Sequence, residues 1–257
     1  MDATYVYCIA HAPVGPTRSR APAGLPDASP LRVLDAGGPL WIVCASVPLA
    51  SYGPGALEPA LRDLNWVGDI AVAHESVVEH FAQQKNVTVV PMKLFTMFSS
   101  DKRTVEEMKS RRREILAVVK RIGGCEEWGV RITRAAPPGR SGDHDAVRPA
   151  SGAAFLAAKK QARDIARDLA RAASESADAA YAALSAISRD ARRRDDAPEG
   201  AVAPPLLDAA FLVPAPRRTR FKATARKLAA AGARSGTEIT VTGPWPAYNF
   251  VREPARP

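Results

Sequence analysis

The sequence predicts an α+β protein built as two α/β domains, the C-terminal one ferredoxin-like with a long helix. Three observations predict it. Segments of β-branched or alternating character are interleaved with segments of helical period along the chain. A Gly123-Gly124 pair separates two such series. After it the order is strand, long helix, strand, helix, strand, and a weak extra strand at residues 201–203 completes the βαββαβ order of a ferredoxin-like module. The domains are placed at residues 1–124 and 125–242, with an aromatic and proline-rich tail at 243–257 packing on them.

The elements follow in order. Tyr5-Val-Tyr-Cys-Ile-Ala10 reads as a strand, and the five prolines between His11 and Pro30 read as a loop. Leu31–Leu34 and Leu40–Val47 flank Asp35-Ala-Gly-Gly-Pro39, whose glycines supply the positive φ of a hairpin turn. Apolar residues at Leu57, Leu61, Leu64, Ile70, Val77 and Phe81 keep helical spacing with one lapse, which places a break near Gly68. Val87–Phe98 reads as a strand in which Pro91 demands an edge, a bulge or an end. Thr104-Val-Glu-Glu107 matches a capping box for a helix running to Ile122, which Gly123-Gly124 ends.

Glu127–Thr133 returns to strand, and the aperiodic stretch Ala135–Pro149 reads as an excursion. From Phe155 to Ala191 an apolar stripe steps mostly by three or four over about 40 proline-free residues. Unbroken, such a helix extends about 60 Å, so it either bends near Ser174-Glu-Ser176 or projects. Leu206–Val213 reads as a strand, Arg217–Ala231 as a basic helix closed by Gly232, and Glu238–Thr242 as a final strand.

Composition bounds the function. With 257 residues, 46% hydrophobic and 25% charged, the chain needs neither disulfides nor metals to fold. Few aromatics and abundant alanine suit helices packed closely on a sheet. Cys8, Cys44 and Cys125 form no CxxC pair and leave an odd thiol, as in a reducing compartment. The apolar run Tyr5–Ala10 is too short for a secretory signal and lacks its basic lead, and no stretch approaches the roughly 20 apolar residues of a membrane span. The expectation is a soluble cytoplasmic protein.

The formal charge is +9, and its placement is uneven. Between Ala209 and Thr237 lie Arg217, Arg218, Arg220, Lys222, Arg226, Lys227 and Arg234 with no acid, so +7 of the excess is one patch. A solvated helix face, an acidic protein partner and a nucleic acid all fit such a patch. Only Phe221 interleaves a ring there and no nucleic-acid motif accompanies it, which favours the first two. A nucleic-acid-binding regulator would need a second basic surface at Arg111-Arg112-Arg113.

His74-Glu-Ser-Val-Val-Glu-His80 has two His and two Glu, but six helical positions turn the two imidazoles to different sides. No phosphate-binding glycine loop or nucleophile elbow is present, and His11 and His144 fall in loops. No catalytic residue, metal ligand or cofactor is therefore assigned; an enzyme would require a pocket collecting His74, Glu75 or Cys125. Thr242-Gly-Pro-Trp-Pro-Ala-Tyr-Asn-Phe250 is the most unusual stretch, a stiff segment whose rings can plug a groove or meet a partner.

Several of these segments together carry a resemblance. Trp66-Val-Gly-Asp-Ile-Ala-Val-Ala-His-Glu75, Val89-Val-Pro-Met-Lys-Leu-Phe-Thr-Met-Phe98, Glu127-Trp-Gly-Val130, Ser151-Gly-Ala-Ala-Phe-Leu156, Phe211-Leu-Val213 and the Thr242–Phe250 block resemble the gas vesicle protein GvpF/GvpL family over nearly the whole chain. The Gly-Pro-Trp-Pro-x-Tyr-x-Phe block is the most specific. The proline-rich early loop and alanine-rich helix depart from the family's usual look. The resemblance implies a non-catalytic accessory or minor structural protein of gas vesicles with two α/β domains. It implies that the shell protein GvpA and other accessory gas vesicle proteins are partners, with neither nucleic acid nor membrane involved. On this reading Trp245, Tyr248 and Phe250 anchor the tail and Trp66 and Trp128 pack the domains. Arg217, Arg218, Arg220, Arg226 and Lys227 are the candidate partner contacts, on charge alone.

Overall fold

The elements run β1 (Asp2–His11), β2 (Arg32–Asp35), β3 (Leu40–Pro48), α1 (Leu49–Tyr52), α2 (Pro54–Ala60), α3 (Leu64–Ala82), β4 (Thr88–Pro91), β5 (Met97–Phe98), α4 (Asp101–Ser110), α5 (Arg112–Ile122), β6 (Cys125–Arg134), α6 (Gly152–Ser185), β7 (Asp190–Arg193), β8 (Leu207–Pro214), α7 (Arg218–Arg234) and β9 (Thr237–Trp245). The computed structural model describes residues 1–135, 151–194, 204–234 and 236–251. It divides into unit 1, Met1–Glu126 with Pro244–Pro257, and unit 2, Glu127–Gly243.

In unit 1, β1 is the strand around which the sheet is ordered, β2-β3-β1-β4, with β5 also pairing β1. The β1–β3 register runs antiparallel from Asp2↔Pro48 to His11↔Leu40 and shifts between Val6 and Cys8. The bulge inserts Tyr7, so Ala3, Tyr5, Tyr7 and Cys8 all enter the same core despite the two-residue period of a strand. Ile70, Val77, Val78 and Phe81 of α3 pack on that face. On the other face Thr4 Oγ1 donates to Asp101 Oδ1 at 2.7 Å, and Arg32 pairs with the same oxygen at 2.8 Å, which fixes the start of α4. Gly37 and Gly38, at φ +93° and +58°, turn β2 into β3.

Four local expectations are corrected here. α3 runs unbroken through Gly68, which points into open space; the interruption is at residues 61–63, where Asp63 caps α3 by accepting from the Asn65 and Trp66 amides. The capping box at Thr104 is not used. Ser100 caps instead, accepting from Arg103 N at 3.2 Å, and the Thr104 hydroxyl donates back to the Ser100 carbonyl. The helix expected to reach Ile122 is two helices meeting at Arg111. The strand expected at residues 87–98 is split, because Pro91 ends β4 and a turn with Phe95 at φ +62° precedes β5.

In unit 2 the sheet order is β7-β8-β6-β9, which with βαββαβ connectivity is the ferredoxin-like arrangement. Trp128, Val130 and Ile132 alternate on β6, as Leu207, Ala209, Phe211 and Val213 do on β8. Against them pack Ala177, Ala180 and Leu184 of α6 and Phe221 and Ala225 of α7. Away from that core, Asp208 holds both Arg131 at 2.6 Å and Arg194 at 2.5 Å.

α6 is a single helix of 34 residues that passes Ser174-Glu-Ser176 without a break. It ends before the stripe does, since residues 190–193 form β7. The strand expected at residues 201–203 and most of the excursion at 135–149 lie outside the described residues. α7 continues through Gly232, where a Cβ would lie 2.5 Å from Thr237 Oγ1. Gly232→Ala is expected to lose about 1 kcal/mol, overpacking of 1–3 offset by the better helix propensity of alanine. Urea denaturation reads this, and a more stable variant would mean that Thr237 turns aside freely.

Candidate functional site

Unit 1 collects buried polar groups where β1 meets α3. Phe95 N donates to Tyr5 Oη at 3.4 Å, which leaves the hydroxyl proton for His74 Nδ1, 2.8 Å away. That network assigns the Nε2–H tautomer, and Nε2 itself is buried without a hydrogen bond of full geometry. Burial pushes His74 down to about 4, against a smaller opposing effect of the Met92 backbone. Burial also pushes Tyr7 up to about 12, although Leu25 N donates to its oxygen at 2.9 Å. The histidine is therefore a neutral core residue. Cys8 and Cys44 are buried and Cys125 half-buried, none of them in a disulfide, and burial raises the Cys44 thiol to about 12.

The tail closes this region. A short 3₁₀ turn, Tyr248–Phe250, brings Phe250 to full burial and lays Tyr248 on the unit 1 core. Arg121 Nε of α5 donates to the Phe250 carbonyl at 3.0 Å. Burial, and then the neighbouring Glu75 carboxylate, raise the Tyr248 phenol, and burial raises Glu75 as well. Tyr248 Oη and Glu75 Oε1 are buried side by side, interacting without a hydrogen bond of full geometry. Trp245, expected to anchor the tail, is instead 41% exposed: it ends β9, and Pro246 turns the chain so that Ala247 and Phe250 go inward.

A cleft of about 680 Å³ opens beside the tail in unit 1. Its apolar floor is Ile9, Val90, Ile115, Val118 and Val251, and Lys93, Arg111, Glu114 and Arg121 stand around it. α5 forms one wall because its amphipathic pattern buries Ile115, Val118, Val119 and Ile122 and leaves the charges outward. Arg111 is held by Glu114 at 2.8 Å. None of His74, Glu75 or Cys125 lines the cleft, and no group of three or more potential metal ligands occurs among the described residues. Its lining is thus an apolar floor with three cations and one carboxylate around it.

In unit 2, α7 buries Phe221 and Ala225 and exposes the basic side chains. Arg220, Lys222, Arg226 and Lys227 are exposed, and no ion pair among the described residues involves them. Lys222 stands over the Trp128 ring, 5.7 Å from its centroid, and Arg217 donates to the Ile187 carbonyl at 3.1 Å. Arg218 opens the helix. Trp128 lies in the unit 2 core beside Phe221, and Trp66 stacks on Phe95 in unit 1 at 6.0 Å. Of the triplet proposed as a second basic surface, Arg111 is paired with Glu114 and Arg112 donates to the Gly37 carbonyl at 2.7 Å.

Sequence reasoning did not mark Tyr5, Tyr7, Lys93 or Arg121 as site residues. Arg121, the last residue but one of α5, carried no special signal, and the tyrosines looked like ordinary strand residues.

Comparison with known proteins agrees with this architecture. A family model described as "Gas vesicle synthesis protein GvpL/GvpF" matches residues 3–252. A gas vesicle protein L from Streptomyces sp. (strain CB03234) is 28% identical over 226 residues, covering 83% of this chain and 80% of the relative. The crystal structure of gas vesicle protein GvpF from Anabaena sp. PCC7120 superposes with a TM-score of 0.68 at 14% identity, over 99% of this chain and 98% of that one. GvpF from Microcystis aeruginosa gives 0.65 at 13%, over 98% and 99%. At such identities the two superpositions speak to the fold. No helix among the described residues is long and apolar enough to cross a membrane.

Proposed function

This chain belongs to the GvpL/GvpF family of gas vesicle synthesis proteins, and from that premise we propose that it is a non-catalytic accessory protein that binds the hydrophobic shell protein GvpA and other gas vesicle proteins during vesicle assembly. Membership ties the chain to gas vesicles. The observation that carries the reading is the family match across residues 3–252, which spans both units.

The physical task is to keep an aggregation-prone subunit apart from its copies until it is added to the shell. Two surfaces suit it. The cleft of unit 1 supplies an apolar floor that would cover part of a sticky subunit. The exposed cations of α7 supply long-range attraction for an acidic partner, which speeds encounter more than it adds affinity. On this reading Arg217, Arg218, Arg220, Arg226 and Lys227 are partner contacts, while Tyr248 and Phe250 hold the wall of the cleft that ends in Val251.

Co-expression tests it. GvpA is expected to stay in the soluble fraction only when this protein accompanies it, and to co-purify at low salt. Retention at about 0.5 M salt, where exposed charges are screened within a few ångströms, assigns the hold to the cleft; release assigns it to α7. Aggregation of the shell protein whether or not this chain is present overturns direct binding of the subunit.

A further inference from the structure

The geometry points to the first five turns of α6 as a docking arm for an acidic amphipathic helix of another protein. From Gly152 to Leu169 every described side chain is exposed except Asp164, which is half-exposed. The stretch is about 27 Å of helix at 1.5 Å per residue. Helix of this length is marginal in water on its own propensity. Yet it carries Phe155, Leu156, Ile165 and Leu169 at 53%, 66%, 53% and 60% exposure. A row of large apolar side chains of this kind marks an interaction surface.

The row is aligned. At 3.6 residues per turn, Phe155, Ala162, Ile165 and Leu169 fall within roughly 80° of arc. The same line continues into Ala173, Ala177, Ala180 and Leu184, all buried. One apolar stripe therefore runs the length of α6. The unit 2 sheet covers its C-terminal half, and nothing among the described residues covers its N-terminal half.

Charge says what would cover it. On the side opposite the stripe, Arg167 pairs with Asp164 at 3.0 Å and Arg171 with Asp168 at 3.6 Å and Glu175 at 4.0 Å, so that face is neutralised within the helix. Lys159, Lys160 and Arg163 have no ion pair among the described residues. Lys159 and Arg163 adjoin the stripe, roughly 40° and 80° round from Phe155. A second copy of the arm would bring the same unpaired cations to the seam and cancel none. A helix with an apolar stripe and a glutamate or aspartate flank fills the stripe and answers the cations together.

The inference does not depend on the shell protein being the partner, so solubilisation of GvpA can fail while this stands, and the reverse. The full chain is titrated into fluorescent peptides of about 20 residues, long enough to match the arm, that share a leucine and alanine stripe and differ only in flanks of Glu, Gln or Lys. At about 50 mM salt the Glu peptide is expected to bind at least tenfold more tightly than the Lys peptide, with Gln between. Ile165→Gln with Leu169→Gln, both exposed and outside the core, should abolish binding while circular dichroism keeps the helical signal. Lys159→Glu with Arg163→Glu should reverse the order of the peptides. Equal binding of all three peptides, no binding of the Glu peptide, or binding that survives the Gln pair overturns the proposal. So does a concentration-dependent dimer in the ultracentrifuge that the Gln pair abolishes, because a second copy would then occupy the stripe.

Discussion

Phe211→Ala is expected to destabilise unit 2 by about 3 to 5 kcal/mol, the usual loss when a buried aromatic ring is cut to a methyl group. Phe211 is fully buried on β8, its ring 5.7 Å from Tyr181 of α6 and 5.6 Å from Phe221 of α7. Both helices place a ring against this one side chain. The neighbours that would collapse into the cavity are themselves aromatic rings held in place by other contacts, so little relaxation is available to soften the loss. Phe155→Ala is the control, because Phe155 is half exposed on α6 and should cost under about 0.5 kcal/mol. Urea denaturation with hydrogen exchange resolved to unit 2 separates the two, and a loss below about 1 kcal/mol for Phe211→Ala would mean a core loose enough to close over the missing ring.

Acidification supplies the second large effect. His74 is 2% exposed and its imidazole is pushed down to about 4 from the ordinary 6.5. The unfolded chain therefore binds a proton near pH 6.5 that the folded chain refuses until about pH 4. Stability is full above pH 6.5 and falls through that window, by about 3 kcal/mol at 1.36 kcal/mol per unit. Glu75 works with the opposite sign: its raised carboxyl favours the fold at low pH and opposes it as pH rises. His74→Gln removes the first slope and leaves the second. The difference in unfolding free energy between wild type and variant should shrink by about 3 kcal/mol from pH 7 to pH 4, whatever the variant costs at neutral pH. Parallel curves would mean that the ring is reached by water in the folded state.

Much of this architecture is written in local signals. Most of the ferredoxin-like order of unit 2 was legible because proline and glycine punctuate the changes of period, as at Pro214 before α7 and Gly123-Gly124 before β6, whereas β7 follows α6 with neither residue between them and was read as helix. Local signals fail where two neighbouring solutions are equally good. Ser100 and Thr104 each stand three residues before a plausible helical partner, and only the pairing of Asp101 with Arg32 and Thr4 decides which begins α4. They fail again where the deciding contact is distant. The Tyr5, Tyr7 and His74 cluster joins positions 69 residues apart and depends on a bulge that no pattern in β1 announces. In the tail, three rings looked alike in the sequence, but a turn of three residues buries Phe250 fully and leaves Trp245 partly exposed. For α6 the stripe was visible, whereas the point at which the sheet stops covering it is a property of β6 and β8, not of the helix.

The order of units along the chain has a consequence for synthesis. Unit 1 begins at Met1 but receives Ala247, Tyr248 and Phe250 only after the whole of unit 2 has been translated. A ribosome making residues 127–243 thus carries a first unit whose core beside Tyr5, Phe81 and α5 is still uncapped. Domains usually mature in the order in which they emerge. Here the earlier one must wait for the later, and a transcript broken inside α7 would release a chain with neither unit finished, a ready target for the proteases that clear incomplete products.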